Sequence, residues 1–180
     1  TLQGDVAGGR FGRQVTMGES RLAVASAEGE TPGGSPKGAV YIYEPLPEQS
    51  ETWSQIARID IPDQYPQETQ LREPIRLDSG DVLLPVSGIG DSVGMLNWKE
   101  SGDEWQFDQG VEFGESCVIQ GLALDGNTAV VYVRDIGVPS EERTSALLFF
   151  EQDQGGAWVR ESEIETNVRL GGMALQGDRL

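Results

Sequence analysis

The chain has 180 residues, and 13 Lys and Arg against 30 Asp and Glu give it a formal net charge of −17 at pH 7. This acidic balance argues against binding to nucleic acid or to anionic membrane surfaces, because both depend on clustered Lys and Arg. The chain has no histidine and one cysteine, Cys117, which excludes imidazole catalysis, an intramolecular disulfide and a thiolate metal cluster.

The chain begins Thr1-Leu2-Gln3 without a leader segment, so we expect a processed form or a segment of a longer protein. No run of about 18 apolar residues occurs, and we therefore predict no membrane insertion. The scarcity of cysteine fits the cytosol as well as exported proteins, whereas the high charge is common in exported proteins. We predict a secreted, periplasmic or cell-surface protein.

Four short strands are predicted near the start of the chain. These runs are rich in β-branched and aromatic residues and are bounded by Gly, Pro, Asp and Ser. No 3.6-residue apolar period persists for three turns anywhere in the chain, which predicts an all-β fold. The four strands are Phe11–Met17, Arg21–Ser26, Gly38–Glu44 and Trp53–Ile61.

The same pattern returns about every fifty residues. The run GLALDG at 121–126 recurs 51 residues later as GMALQG at 172–177, and weaker copies occur earlier. The residues before the first turn of each copy are Met17, Leu77, Leu124 and Leu175, and Trp53, Trp105 and Trp158 open the last strand of three copies. The predicted repeats cover roughly 10–64, 70–113, 117–166 and an incomplete 168–180.

Four antiparallel strands at a period of 40–50 residues are typical of a β-propeller blade. One twisted sheet has two apolar faces, and neighbouring sheets stacked on it cover both. We predict a β-propeller segment of about three blades plus part of a fourth. The alternative is a β-sandwich, which does not require Trp and the Gly-containing turn to recur in step.

The first repeat resembles the FG-GAP family, whose blades build integrin α-subunit propellers and many bacterial surface proteins. Phe11-Gly12 is similar to the FG, the strand at 22–27 to the GAP strand, and Gly38-Ala39-Val40-Tyr41-Ile42-Tyr43 to the family's GAVYVF strand. The other repeats lack FG and GAP. The resemblance implies a ring of six or seven blades, completed by further blades or by another chain, with a role in protein binding or cell adhesion.

Integrin-type blades carry a D-x-D-x-D-G calcium loop between their first two strands, because a hard cation needs several converging oxygens. The corresponding turns here are shorter, and none has three alternating acidic residues: Gly18-Glu19-Ser20, Asp78-Ser79-Gly80-Asp81, Asp125-Gly126-Asn127 and Gln176-Gly177-Asp178. Asp125-Gly126-Asn127 is typical of a tight hairpin. We therefore predict no metal or cofactor site, although calcium is what the family would bind.

The long connections are predicted on one face of the blades, where binding residues commonly lie. They are Ala27–Lys37, Pro62–Glu73 and Arg134–Ser145, with Glu28, Glu30, Asp91, Asp135, Glu141 and Glu142 near the rim. These carboxylates fit a surface for cations or a basic partner, but a solvated rim is the interpretation we favour. Paired carboxylates could also hydrolyse glycosidic bonds.

Our leading prediction is a non-catalytic interaction or structural module that binds other protein chains or assembles with further blades. The alternative is a polysaccharide-acting propeller enzyme that uses carboxylates of the loop face. Ser and Cys nucleophiles lack a histidine base, and we assign no catalytic, cofactor-binding or metal residue. The recurring tryptophans are predicted to pack, Trp98 to lie in the core or an interface, and Cys117 to be a small buried residue.

Overall fold

The structure is a computed structural model, and it describes residues 2, 11–18, 20–26, 37–46, 49–66, 69–72, 75–78, 80–89, 92–102, 104–115, 117–135, 144–166, 173 and 175. These residues form thirteen strands and no helix. In this part of the chain nothing helical is long and apolar enough to cross a membrane. The predicted all-β class is confirmed.

The strands form three sheets that follow one another along the chain. The first sheet has the order β1 (Phe11–Met17), β2 (Leu22–Ser26), β3 (Ala39–Leu46), β4 (Gln49–Asp60). The second contains β5 (Gln70–Leu71), β6 (Arg76–Asp78), β7 (Asp81–Ile89), β8 (Ser92–Ser101) and β9 (Glu104–Glu115). The third has the order β10 (Cys117–Asp125), β11 (Thr128–Asp135), β12 (Ser145–Gln152), β13 (Trp158–Thr166).

Every paired neighbour in the three sheets is antiparallel, and none of the sheets closes on itself. The four strands predicted for the first repeat are all present, and β1 has the predicted bounds. The fourth strand begins at Gln49 rather than at Trp53 and ends at Asp60. This extension arises because β4 continues to pair with the end of β3, where Leu46 lies opposite Gln49.

The first strand of the second sheet is divided into β5 and β6, which both pair with β7. The break lies opposite Pro85, which has no backbone N–H to donate to a neighbouring strand. The carbonyl of Pro85 still accepts a 2.7 Å hydrogen bond from the backbone N–H of Arg72. β5 and β6 therefore occupy the place of one strand, and each sheet has four strand positions.

The second sheet lies between the other two, and both of its faces are buried. On β7, Val82 and Leu84 pack against the first sheet, whereas Leu83 packs against the third. This follows from the alternation of side chains along a strand. The three side chains are at most 1% exposed, so the sequence of β7 reads as an almost continuous apolar run.

Tight turns join the first and second strand positions. Asp125 pairs with Thr128, which leaves a two-residue loop in which Gly126 has a φ of 54°. This conformation is costly for most other residues. The predicted hairpin is confirmed.

Candidate functional site

The first strands of the three sheets lie next to one another along one side of the stack, β1 against β6 and β6 against β10. Between the first two sheets, the backbone N–H of Ile75 donates to Gln14 Oε1 at 2.7 Å. Gly18 lies so close to Leu77 that a Cβ there would be 3.1 Å from the Leu77 carbonyl oxygen. Between the second and third sheets, the Gly126 N–H donates to Asp78 Oδ2 at 2.7 Å.

A polar contact recurs between successive sheets. In the first pair, Arg21 at the start of the second strand position donates to Glu100, near the end of β8, at 2.5 Å. In the second pair, Asp81 accepts a 3.2 Å hydrogen bond from Gln152, at the end of β12. Arg21 and Asp81 both lie four residues after the anchors Met17 and Leu77. Equivalent positions thus contact each other in both pairs of sheets, with a donor in the first sheet and an acceptor in the second.

The ion pair at this contact shifts the pKa of both partners. The hydrogen bond from Arg21 lowers the pKa of the Glu100 carboxyl, and the hydrogen bond to Glu100 raises the pKa of Arg21. Arg21 also donates to Glu44 on β3, so its guanidinium joins two sheets. Its Cζ lies 5.8 Å from the centre of the Trp105 ring, within cation–π distance.

The three recurring tryptophans occupy the same place in their sheets. Trp53, Trp105 and Trp158 pair across the ladder with Pro45, Glu100 and Gln152, which lie near the end of the third strand position. Trp105 packs against the first sheet and Trp158 against the second. Trp53 belongs to the apolar cluster on the other face of the first sheet. All three thus face the same direction along the stack.

The backbone of Trp158 is hydrogen-bonded to a side chain of the second sheet. The Gln109 side chain accepts a 2.7 Å hydrogen bond from the Trp158 N–H and donates to its carbonyl at 3.1 Å. Trp98 is 4% exposed, and its ring lies 5.2 Å from that of Phe107. Trp98 therefore lies in the core between the first and second sheets.

Each end of the stack has an apolar face turned away from the second sheet, which we call an outward face. The central side chains of both faces are buried, with Val24, Tyr41, Val130 and Tyr132 at most 1% exposed, whereas Val15, Met17 and Ile164 at the edges are exposed. The outward face of the first sheet is formed by Phe11, Val15, Met17, Leu22, Val24, Ala39, Tyr41, Tyr43 and Trp53, and Leu2 packs on it. Side chains alternate between the two faces of a strand, so the residues of the third sheet that do not contact the second sheet form its outward face. This outward face contains Ala123, Val130, Tyr132, Leu147, Phe149 and Ile164. Met173 lies on it near Gly121, where a Cβ would be 3.2 Å from Met173 Cε.

A cleft of about 440 Å³ lies beside the first strands and receives residues from all three sheets. Arg13 comes from β1 and Arg72 from the segment after β5, and apolar side chains complete the wall: Val86, Val93, Val118 and Ile119. Arg72 Nε donates to Ser87 Oγ at 2.6 Å. No sequence motif indicates this cleft, because its residues are far apart in the chain.

A second cleft of about 330 Å³ lies on the third sheet and contains Asp135, Glu163 and Glu165. Arg160 lines it too and pairs with Glu163. Asp135 is one of the predicted rim carboxylates. The others lie outside the described residues: Glu28, Glu30, Asp91, Glu141 and Glu142.

Cys117 contacts both clefts. It is half-buried rather than fully buried, and burial, followed by the negative charge of Asp135, raises the pKa of its thiol. A raised pKa keeps the thiol protonated near neutral pH and makes it a weak nucleophile.

The carboxylates of the short turns hold neighbouring segments. Asp78 accepts from Gly126, and Asp81 accepts from Gln152 and from Asn97 Nδ2, the latter at 3.1 Å. Among the residues that the structure describes, no three acidic or cysteine side chains are grouped to hold a metal ion. Comparisons with protein-family models, curated proteins and solved structures found no match to this chain, so its function is argued from its geometry.

Proposed function

We propose that the chain is a β-propeller segment that serves as a non-catalytic interaction module, with further four-stranded sheets packing on its outward faces. The FG-GAP resemblance and the acidic composition support an extracellular role for such a module, in a secreted, periplasmic or cell-surface protein. In this proposal the partner is a sheet of the same kind, supplied by further blades or by another chain.

The observation that carries the proposal is the exposure of equivalent positions in the first strand. Ile75 and Leu122, two residues before the anchors Leu77 and Leu124, are 0% and 1% exposed because each packs between two sheets. At the equivalent place in the first sheet, Val15 is 53% exposed.

The anchor position shows the same difference in exposure between the first and second sheets. Leu77 is 6% exposed, whereas the equivalent Met17 is 69% exposed. The interior of this face is buried, with Val24 and Tyr41 at 1% and 0% exposure, so the exposed apolar side chains lie together on β1 at its edge. Their equivalents Ile75, Leu77 and Leu122 are buried by a preceding sheet and Leu124 is partly buried, so a sheet is the occupant that we propose.

The shared cleft supports a radial arrangement of the three sheets. Sheets packed as flat parallel layers lie about 10 Å apart, which would separate the first and third by about 20 Å. Arg13 of the first sheet and Val118 of the third nevertheless line one cleft. Convergence of the first strands toward an axis, as in a propeller, accounts for this.

Sedimentation velocity tests the proposal, because two copies of the chain can supply sheets to each other. The outward face of the first sheet on one copy would pack on that of the third sheet on another, a head-to-tail association. We expect the mean mass to rise above 19.5 kDa with concentration. Met17→Lys should abolish this rise without unfolding the chain, because Met17 is exposed.

Gln106→Lys is the matched control, since it makes the same charge change at an exposed position on β9. It should associate like the unmodified chain. A compact monomer at every concentration, or equal association of Met17→Lys, would contradict the proposal. Release of reducing sugar ends from a panel of polysaccharides would instead favour the hydrolase alternative.

A further inference from the structure

Equivalent positions of β9 and β13 can be identified from the ladders of the second and third sheets. Leu96 and Leu148 each lie four residues before the partner of the recurring tryptophan, and each faces the preceding sheet. Leu96 lies opposite Gly110 and Leu148 opposite Glu163, so Gly110 and Glu163 are equivalent. The same register makes two further pairs equivalent: Phe107 with Arg160, and Glu112 with Glu165.

A tyrosine ring fills this place between the first and second sheets. Tyr65, in the connection between β4 and β5, packs edge to face on Phe107 with 6.0 Å between the ring centres. Its hydroxyl lies over Gly110, where a Cβ would overlap it. Burial raises the pKa of Tyr65, and the negative charge of Glu112 adds to the rise. This place therefore holds an aromatic ring with a carboxylate near its polar end.

The corresponding place between the second and third sheets is the cleft of about 330 Å³. The equivalent side chains of β13 line it: Arg160, Glu163 and Glu165. β9 ends at Glu115 and β10 begins at Cys117, so the connection here is one residue long and contains no counterpart of Tyr65. The cleft is thus the open counterpart of the place that Tyr65 fills.

The part of the cleft wall that a ligand can reach is aromatic on one side and acidic on the other. Phe113 is half-buried, and Arg160, Glu163 and Glu165 are exposed. Asp135 brings the number of carboxylates to three, against the one guanidinium of Arg160, which pairs with Glu163. An acidic cleft raises the local concentration of cations. Side chains at most 9% exposed close the floor: Val133, Ser145, Ala146 and Leu148.

We propose that this cleft binds an aromatic ring that carries a cationic group, with the ring beside Phe113 and the cation paired with Glu165. The ring corresponds in position to that of Tyr65, and aromatic rings attract each other edge to face. Glu165 is equivalent to Glu112, and it has no ion-pair partner among the residues that the structure describes. A cation forms a charge-assisted hydrogen bond with such a carboxylate. The volume is within the range of small-molecule sites.

Benzylammonium is a suitable probe, with benzyl alcohol as the neutral molecule of the same shape and methylammonium as the cation without a ring. Benzylammonium should shift the backbone resonances of Phe113, Thr144 and Glu165 saturably in a titration followed by nuclear magnetic resonance. Benzyl alcohol should bind at least about threefold more weakly, the loss expected when an exposed ion pair is removed. Methylammonium should bind at least about tenfold more weakly, because it makes no ring contact.

Replacement of Glu165 tests the charge requirement. Glu165→Gln should weaken benzylammonium binding at least about threefold and leave the binding of benzyl alcohol unchanged, because only the cation uses the carboxylate. Glu161→Gln is the matched control, since Glu161 is exposed on the same strand and does not line the cleft. Both replaced side chains are exposed, so both variants should keep the circular dichroism spectrum of the unmodified chain.

Cys117 gives a second measurement, because it is the only cysteine and lies in the cleft wall. Its alkylation by iodoacetamide should slow in the presence of benzylammonium but not of methylammonium. Equal affinity for benzylammonium and benzyl alcohol, equal affinity of the Glu165→Gln and Glu161→Gln variants for benzylammonium, or no resonance shift at about 20 mM benzylammonium would each overturn the proposal.

Discussion

Arg21 shows how one side chain can fix two sheets in register. It donates to Glu44 in its own sheet and to Glu100 in the next, and its guanidinium lies over Trp105. Both carboxylates are less than two-fifths exposed, at 38% for Glu44 and 29% for Glu100. Partly buried, charge-assisted hydrogen bonds of this kind are stronger than exposed ion pairs.

Replacement of Glu100 should reveal this contact through the pH dependence of stability. Glu100→Gln should lower the free energy of unfolding at pH 7 by about 1 kcal/mol. Because the folded protein has a lowered Glu100 pKa, the stabilising contribution is present above the ordinary glutamate pKa of about 4.3 and is lost as the pH falls through the lowered value. Urea unfolding at pH 7 and at pH 3 measures the difference.

Glu104→Gln is the matched control for that measurement. Glu104 is exposed and begins β9, just past the hairpin that follows Glu100. Its replacement should change stability by less than about 0.5 kcal/mol. A Glu100→Gln protein that is as stable as the unmodified chain at both pH values would show that the contact contributes nothing.

Trp158 and Val159 are neighbours in sequence with opposite environments. Trp158 is 2% exposed and packs on the second sheet, whereas Val159 is 42% exposed. Trp158→Ala should destabilise the protein by about 3–5 kcal/mol, and Val159→Ala by less than about 1 kcal/mol. If urea unfolding gave a similar loss of stability for Trp158→Ala and Val159→Ala, a packing role for Trp158 would be contradicted.

At the scale of a strand, successive side chains point to opposite faces, and this decides which neighbouring sheet each side chain contacts. The predicted strands of the first repeat lie where apolar and β-branched residues cluster, and β1 was predicted with its observed bounds because a glycine turn follows it. The division of β5 from β6 was not predicted. It depends on Pro85, which lies in the partner strand, and pairing between strands is not visible in the local sequence.

Burial of the second sheet on both faces can be tested with two adjacent leucines of β7. Leu83 contacts the third sheet and Leu84 the first, and they are 0% and 1% exposed. Leu83→Ala and Leu84→Ala should each lower the free energy of unfolding by about 2–5 kcal/mol. Ile164→Ala, at a position that is 54% exposed, is the control and should cost less than about 1 kcal/mol.

A two-layer fold would give a different outcome. If the second sheet packed on one neighbour only, just one of the two leucines would be buried, and its replacement alone would be costly. If either leucine variant were as stable as the unmodified chain, the three-layer order would therefore be contradicted.

At the scale of the whole molecule, the sequence predicted the order of strands better than it predicted any site. The recurrence of Trp53, Trp105 and Trp158 indicates a repeated four-stranded unit, and each tryptophan lies at the same place in its own sheet. The cleft beside the first strands joins Arg13 to Arg72 across 59 positions of sequence. Such a site arises only when sheets are stacked, so no spacing within one repeat could indicate it.

The excess of negative charge also acts on the whole molecule. With a net charge of −17, repulsion between carboxylates opposes the compact state. Part of this repulsion lies along β13, where Glu161 and Glu165 are exposed. We expect the Tm to rise by several degrees when NaCl is raised from about 0.01 to about 0.5 M, since the screening length falls from about 30 Å to less than 8 Å.

A double variant, Glu161→Gln/Glu165→Gln, separates repulsion from general effects of salt. Removal of two exposed negative charges should raise the Tm at low salt and reduce its dependence on NaCl, because fewer like charges remain to be screened. Salt also weakens ion pairs such as Arg21–Glu100, which acts in the opposite direction. A Tm that falls with salt in scanning calorimetry would mean that the ion pairs between sheets outweigh the repulsion among the excess carboxylates.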